Sequence, residues 1–370
     1  MLRPLMPMVK SEFNLDYTQI GFLFTAFTLT NGLSQIPAGW LADRFSLRLF
    51  VAIGVSGVAV SGLLIGLSPS YTVLIVFLIL SALLGGGYHP SAQSTISALV
   101  PPERRGRALG LHLIGGSSSM FIVPVLAASI SLVWGWRGAY ITLSIPMIIL
   151  GIVLYGVLGR RLRDHNSSTP RAARTGPAVA NAPTKIEWRQ LIPFIVIAMV
   201  TGVVAGSVTN YMSVYLVDHF GVSEASAAML VTFVAAPGLV AAPLGGYLSD
   251  RVGRVRMLVI VSLITIPIVY LLGVAPSVPI LVAILFIEGI INYFRVPNTQ
   301  VFIAEHTPER RRATLFGAFS FVSMEISGFL ASGVGFLIDR VGFQRTFTIA
   351  SLTMAAVTGL FLVPLWRSRR

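Results

Sequence analysis

The sequence predicts an all-α protein that crosses a membrane many times, and three observations carry this. Apolar runs long enough to span a bilayer recur along almost all of the 370 residues, and a spanning helix needs about 20 mostly apolar residues. The composition is 55% hydrophobic and only 11% charged, with a mean hydropathy of +0.81, whereas soluble domains carry roughly 25% charged residues. The runs are also nearly unbroken, as in Val73–Leu84 and Met257–Val274. Lipid leaves no water for unpaired backbone groups, so only helices or closed barrels can span it. Barrel strands would alternate polar and apolar over roughly 10 residues, so the unbroken runs select helices.

Taken in order, the first predicted span is 17–41, closing at Gly39-Trp40-Leu41-Ala42-Asp43-Arg44. Span 49–67 follows Arg48, and span 72–99 closes at Pro102-Glu103-Arg104-Arg105. Spans 107–133 and 138–159 flank Trp136-Arg137. Residues 160–188 form a long polar segment rich in Pro, Ala and Arg. Such a composition buries little apolar surface and reads as a flexible linker. It divides the chain into an N-terminal bundle, 1–159, and a C-terminal bundle, 189–370. Spans 191–217 and 225–248 open the second bundle, the latter closing at Gly246-Tyr247-Leu248-Ser249-Asp250-Arg251. Spans 257–274, 278–303, 312–337 and 344–365 complete it, making eleven in all.

The net charge of +13 would suggest nucleic acid in a soluble protein, but the positions argue otherwise. Twenty-one of the 27 basic residues fall on one side of the predicted spans, against five on the other, with Arg295 alone inside a span. The positive-inside rule places the richer side, including the linker and the C-terminus, in the cytoplasm. Nucleic acid is therefore not an expected partner. There are no cysteines, which excludes disulfides, thiolate metal sites and cysteine nucleophiles. No signal-peptide pattern opens the chain.

The two halves repeat each other. Gly39–Arg44 matches Gly246–Arg251, Pro102–Arg105 matches Pro308–Arg311, and Trp136-Arg137 matches Gln344-Arg345, all at an offset near 207. Pro90 and Gln93 match Pro297 and Gln300 at the same offset. Internal duplication marks many secondary transporters. The counterpart of the span that opens near Leu191 would begin before residue 1. Residues 1–10 thus read as the outer end of a first helix whose beginning is absent, giving eleven full spans plus a stub.

These residues resemble the major facilitator superfamily. Gly39-x-Leu41-Ala42-Asp43-Arg44 with Arg48, and Gly246-x-Leu248-Ser249-Asp250-Arg251-x-Gly253-Arg254, are similar to its duplicated loop motif. Pro102-x-x-Arg105-Gly106-Arg107-Ala108 and Trp136-Arg137 add to the likeness. Ser46 and Leu47 depart from the motif, and Val123 stands where the family's antiporter helix has a glycine. Gly85-Gly86-Gly87-x-His89-Pro90 followed by Gly115-Gly116 faintly resembles fosmidomycin-resistance-type exporters. The resemblance implies two six-helix bundles related by a pseudo-twofold axis, rocking between inward-open and outward-open states. It also implies a central cavity lined by the first, fourth, seventh and tenth helices, counting the stub as the first.

Candidate mechanistic residues follow. Asp43 and Asp250 lie at the cytoplasmic ends of two spans, where a carboxylate can accept hydrogen bonds from a helix N-terminus and act as a conformational latch. Arg44 and Arg251 would pair with nearby acids, including Glu103 and Glu309. Charges at membrane depth are expensive, so Glu288, Arg295 and Glu325 stand out. Arg295 would bind an anionic group, and Glu288 or Glu325 would carry a coupling proton. Glu288 and Arg295 are about 10 Å apart by helix rise, too far to touch fully. Asn292, Asn210, Tyr211, Tyr88, His89 and Arg3 complete the candidate solute contacts. The alternative for all of these is a static role in packing, topology or snorkelling. The pattern Gly62-x-x-x-Gly66 and the cluster from Gly328 to Gly335 fit close helix packing.

The expectation is a secondary active transporter in the cytoplasmic membrane, moving a small anionic or zwitterionic organic solute, coupled to protons and acting as a monomer. No cofactor is expected. An uncoupled facilitator and a non-transporting sensor on the same scaffold are the alternatives. A membrane enzyme is disfavoured, since no HExxH, GxxxxGK[ST] or GxSxG string occurs.

Overall fold

A computed structural model describes residues 2–100, 102–165, 186–232 and 237–367. The side chains of Asp43, His89, Glu103, Glu309 and Glu325 lie outside those described, as does most of the predicted linker. All regular structure among the described residues is helical. In chain order it comprises α1 (Leu2–Phe13), α2 (Tyr17–Arg44), α3 (Leu47–Ala52), a π turn (Ile53–Gly57), α4 (Val58–Gly66), α5 (Tyr71–Gly85), α6 (Tyr88–Leu99) and α7 (Pro102–His165). The second half comprises α8 (Trp188–Thr209), α9 (Met212–Phe220), α10 (Glu224–Thr232), α11 (Gly238–Val252), α12 (Arg254–Val274), α13 (Val278–Glu305) and α14 (Glu309–Arg367).

Local chemistry sets the ends. Ser46 and Ser70 cap α3 and α5, their hydroxyls accepting from the amides of Leu49 (3.3 Å) and Val73 (3.4 Å). α7 and α14 each turn a corner at one glycine, Gly135 (φ 65°) and Gly342 (φ 79°). A side chain would be strained at either φ. These corners separate 107–133 from 138–159 and 312–337 from 344–365. Among the described residues six stretches are long and apolar enough to cross a membrane, including Arg254–Val274, Val278–Ile303 and the cornered Ile122–Arg160 and Ile326–Leu365.

Hydropathy concealed several breaks. Predicted span 72–99 is two helices, parted at Gly86 and Gly87. Span 49–67 contains the π turn, and span 191–217 breaks at Asn210-Tyr211.

The chain groups into two compact units, Met1–Leu15 with Phe22–Ala173, and Asp16–Gly21 with Arg174–Arg370. In the first, α4 lies close against α7. A Cβ at Gly62 would sit 2.6 Å from the Ser144 hydroxyl, and one at Gly66 would sit 2.8 Å from Ile141. This is the close packing predicted for Gly62-x-x-x-Gly66. Glu12, at the end of α1, accepts from Trp136 Nε1 (2.6 Å) and Arg137 Nε (3.0 Å) on α7. In the second unit, α8, α9, α12 and α14 share a core that includes Val208, Met212, Tyr215, Leu272 and Phe347. A second cluster stacks Phe194 on Phe302 at 3.7 Å.

Candidate functional site

The polar residues that the structure brings together at membrane depth lie on α13 and α8. Asn292 and Arg295 are three residues apart on α13, which puts them on one face. Arg295 Nη2 donates to Asn292 Oδ1. The guanidinium rests against α8 at Gly202, where a Cβ would lie only 2.6 Å from Cζ. Gly202 therefore makes the seat, and any larger residue would occupy it. The Nε and Nη1 groups of Arg295 donate to no described residue. Glu288, two turns away on α13, is 7% exposed. Its charge acts on Arg295.

α8 carries the site onward. Gly202, Gly206 and Asn210 recur at a spacing of four and so share a face. A Cβ at Gly206 would meet nothing within 4 Å. Asn210 is 4% exposed, and its buried Oδ1 has no hydrogen-bond partner among the described residues. Over 90% of buried polar groups in proteins are paired, so an unpaired side-chain oxygen at a helix break is informative. Tyr211 is fully buried, and its hydroxyl donates to Ala331 O (2.6 Å) and reaches Tyr17 O (3.1 Å). Its polar end is thus engaged by protein.

The remaining candidates are spread more widely. Tyr88 lies in the first unit, its ring centroid 6.0 Å from that of His112 and its Cβ closely approached by Gly54. Arg3 is exposed on α1. The second motif copy is a hub around Arg254, which sequence reasoning named only as a motif position. Arg254 pairs with Asp250 and with Glu305 (3.3 Å), and donates to Ser249. Asn298 accepts from Ser249 (2.8 Å) and donates to Arg254 O (3.0 Å). Asp250 thus meets a guanidinium on the first turn of α12, and the hub's other described acid is Glu305, four residues before Glu309. The guanidiniums of Arg251 and Arg44 lie over the rings of Tyr247 (4.6 Å) and Trp40 (5.4 Å).

Sequence reasoning missed Gly202 and Glu305. Glu305 is an acid at the end of a span and could have been flagged as such. Gly202 carries no sequence signal, because its importance depends on which face of α8 meets α13.

The family model of the Major Facilitator Superfamily matches residues 1–332 and 194–370. The chain belongs to this superfamily, and it is a multi-pass membrane protein of a transporter family, not an enzyme. It is 25% identical over 383 residues to the multidrug resistance protein MdtG of Proteus mirabilis strain HI4320, covering 100% of this chain and 92% of that one. It is 27% identical over 256 residues to the fosmidomycin resistance protein of Escherichia coli K12, covering 67% of this chain and 60% of that one. Its fold is similar to the crystal structure of a POT family transporter in complex with a thioalcohol-conjugated peptide. The TM-score is 0.80 at 14% identity, covering 100% of this chain and 93% of the other.

Proposed function

We propose that this chain is a secondary active transporter that carries a small organic anion or zwitterion across the cytoplasmic membrane by alternating access, with proton coupling. The observation that supports it is the Arg295 seat. A guanidinium at membrane depth keeps two donor groups turned to no described residue, and a charge there is costly unless it is used. An anionic group of the solute meets those donors. The α8 face with Gly206 and the Oδ1 of Asn210 supplies room and a further polar contact.

Glu288 carries the coupling proton, together with Glu325. A carboxyl near an arginine holds its proton less tightly, and it regains affinity when an anion neutralises that arginine. Binding of solute and proton are thereby linked. The chain is read as eleven spans plus a stub arranged as two pseudo-twofold-related bundles, with the linker and C-terminus cytoplasmic. Asp43 and Asp250 hold the cytoplasmic ends, Asp250 through Arg254.

The test is a solute screen in proteoliposomes carrying an internal pH reporter. The expected result is uptake of an organic acid that moves protons with it, abolished by Arg295→Gln and uncoupled from the pH gradient by Glu288→Gln. Uptake indifferent to both substitutions refutes the assignment.

A further inference from the structure

Within the first unit, α3, the π turn and α4 lie antiparallel to the second arm of α7, and small residues mark the line of approach. A Cβ on Gly62 would press on the Ser144 hydroxyl, one on Gly151 on Ser56, and one on Gly159 on the guanidinium of Arg48. An arginine sits at each end of this seam. At the α4 end Arg137 Nη1 donates to Gly66 O (3.2 Å), and the same guanidinium pairs with Glu12 (2.6 Å). At the α3 end Arg48 Nε donates to Tyr155 O (2.7 Å), and Cζ lies 3.6 Å from the centre of the Tyr155 ring. Gly159 leaves the room for that seat.

The two arginines differ in what balances them. Among the described residues no acid pairs with Arg48, and its Nη1 and Nη2 donate to none of them. The departure from the motif accounts for this. At the offset of 207 it is Leu47, not Arg48, that stands in the position of Arg254, which pairs with Asp250 and Glu305. One residue further on, about 100° round the helix, Arg48 meets α7 instead.

The seat also borders lipid. Of the six apolar stretches among the described residues, Ile122–Arg160 is the least buried. Ile152, Val153 and Val157, each within one turn of Tyr155, are exposed, and so is the Tyr155 ring. Tyrosine at such a position belongs to the interfacial belt, level with the headgroups. Arg160, next to Gly159, is exposed as well. A half-buried guanidinium therefore presents its unused edge where lipid phosphates lie.

We propose that Arg48, Tyr155 and Gly159 form a binding site for an anionic phospholipid. The lipid phosphate accepts from Nη1 and Nη2, the parallel pair that a guanidinium offers to two oxygens. The acyl chains cover Ile152 and Val153. A headgroup of net negative charge is selected, because Arg48 and Arg160 add positive charge and no described acid pairs with Arg48 to meet an ammonium. Basic pockets between spanning helices hold such headgroups. The site lies within the first unit and is independent of what the protein transports.

The experiment is native mass spectrometry of the delipidated full chain in detergent, titrated with dioleoyl phosphatidylglycerol, dioleoyl phosphatidylcholine or glycerol phosphate. The wild type should hold phosphatidylglycerol about tenfold more tightly than phosphatidylcholine, and should hold no glycerol phosphate over the same range, since the headgroup alone lacks the apolar contact. Arg48→Gln removes the charge-assisted bonds and should weaken phosphatidylglycerol by about tenfold or more. Arg48→Lys keeps the charge without the fork and should weaken it by a smaller factor. Arg256→Gln removes an exposed charge from the second unit and should change the affinity less than about twofold, because exposed charges are screened. Equal loss in Arg48→Gln and Arg256→Gln, equal binding of the two lipids, or glycerol phosphate bound as tightly as the lipid overturns the site. If the Arg48 variants do not fold, a photoreactive phosphatidylglycerol cross-linked to the wild-type chain decides. Adducts concentrated on segments 45–51 and 152–160 support the site, and adducts elsewhere or spread evenly overturn it.

Discussion

Replacing Gly202 by alanine tests the site at its least conspicuous residue. The added Cβ would sit 2.6 Å from Cζ of Arg295 and 2.8 Å from Nη2, where ordinary contact begins near 3.4 Å. Nη1 is nearer still, so the guanidinium must retreat by more than about 0.8 Å. That strains the Nη2 bond to Asn292, a charge-assisted bond of about 1.5–3 kcal/mol. It also displaces the donors meant for the solute, and a shift near 1 Å can cost on the order of 100-fold in rate. The expected result is a solute KM raised between about 10- and 100-fold. The protein should still fold, because overpacking of about 1–3 kcal/mol is partly offset by the roughly 1 kcal/mol that alanine gains over glycine in a helix. Gly206→Ala is the control on the same face: its Cβ meets nothing within 4 Å, so it should raise thermal stability slightly and leave KM alone. Uptake in proteoliposomes, with the solute found by the screen, reads both. Wild-type KM in Gly202→Ala, or equal damage from Gly206→Ala, would refute the seat.

Arg254→Gln should lower stability by about 1–2 kcal/mol, between the values for exposed and buried pairs, since the Arg254 side chain is 17% exposed and its acids more so. Denaturation in detergent measures it, and turnover should fall alongside. Glu12→Ala should cost about 1 kcal/mol by freeing Trp136 and Arg137. The red shift of Trp136 emission, in a variant keeping only that tryptophan, reports whether α1 has come away. Gly66→Ala, whose Cβ would lie 2.8 Å from Ile141 and 3.0 Å from Arg137 O, should destabilise by about 1–3 kcal/mol. Gly115→Ala, with open space around it, should be neutral or better by up to about 1 kcal/mol, so opposite shifts in melting temperature are expected.

What the sequence disclosed and what it concealed divide along a physical line. Apolar length is set by the bilayer, so the described residues of the predicted spans are mostly helical, and the duplicated motif points to the superfamily that the family model matches. Hydropathy is blind to events inside a span. The break at Asn210-Tyr211, the π turn at Ile53–Gly57 and the parting at Gly86-Gly87 all occur among small or weakly polar residues, and neighbouring helices decide them. The two corner glycines were latent in the repeat: Gly135 and Gly342 stand at the same offset of 207 as the motif copies, and each immediately precedes a loop-end segment already recognised as matching or lying beside one. Charge was legible by cost alone. Arg295 and Glu288 drew notice because lipid penalises them, whereas Asp339 and Glu12, at span ends where water is near, carried no penalty and drew none. Yet those unremarked acids make several polar contacts each, Asp339 across 322 residues of chain to Tyr17. In a membrane carrier the deep charges indicate where a solute could bind. The acids at the water's edge determine which helix ends are held, and their partners become visible only once the helices are packed.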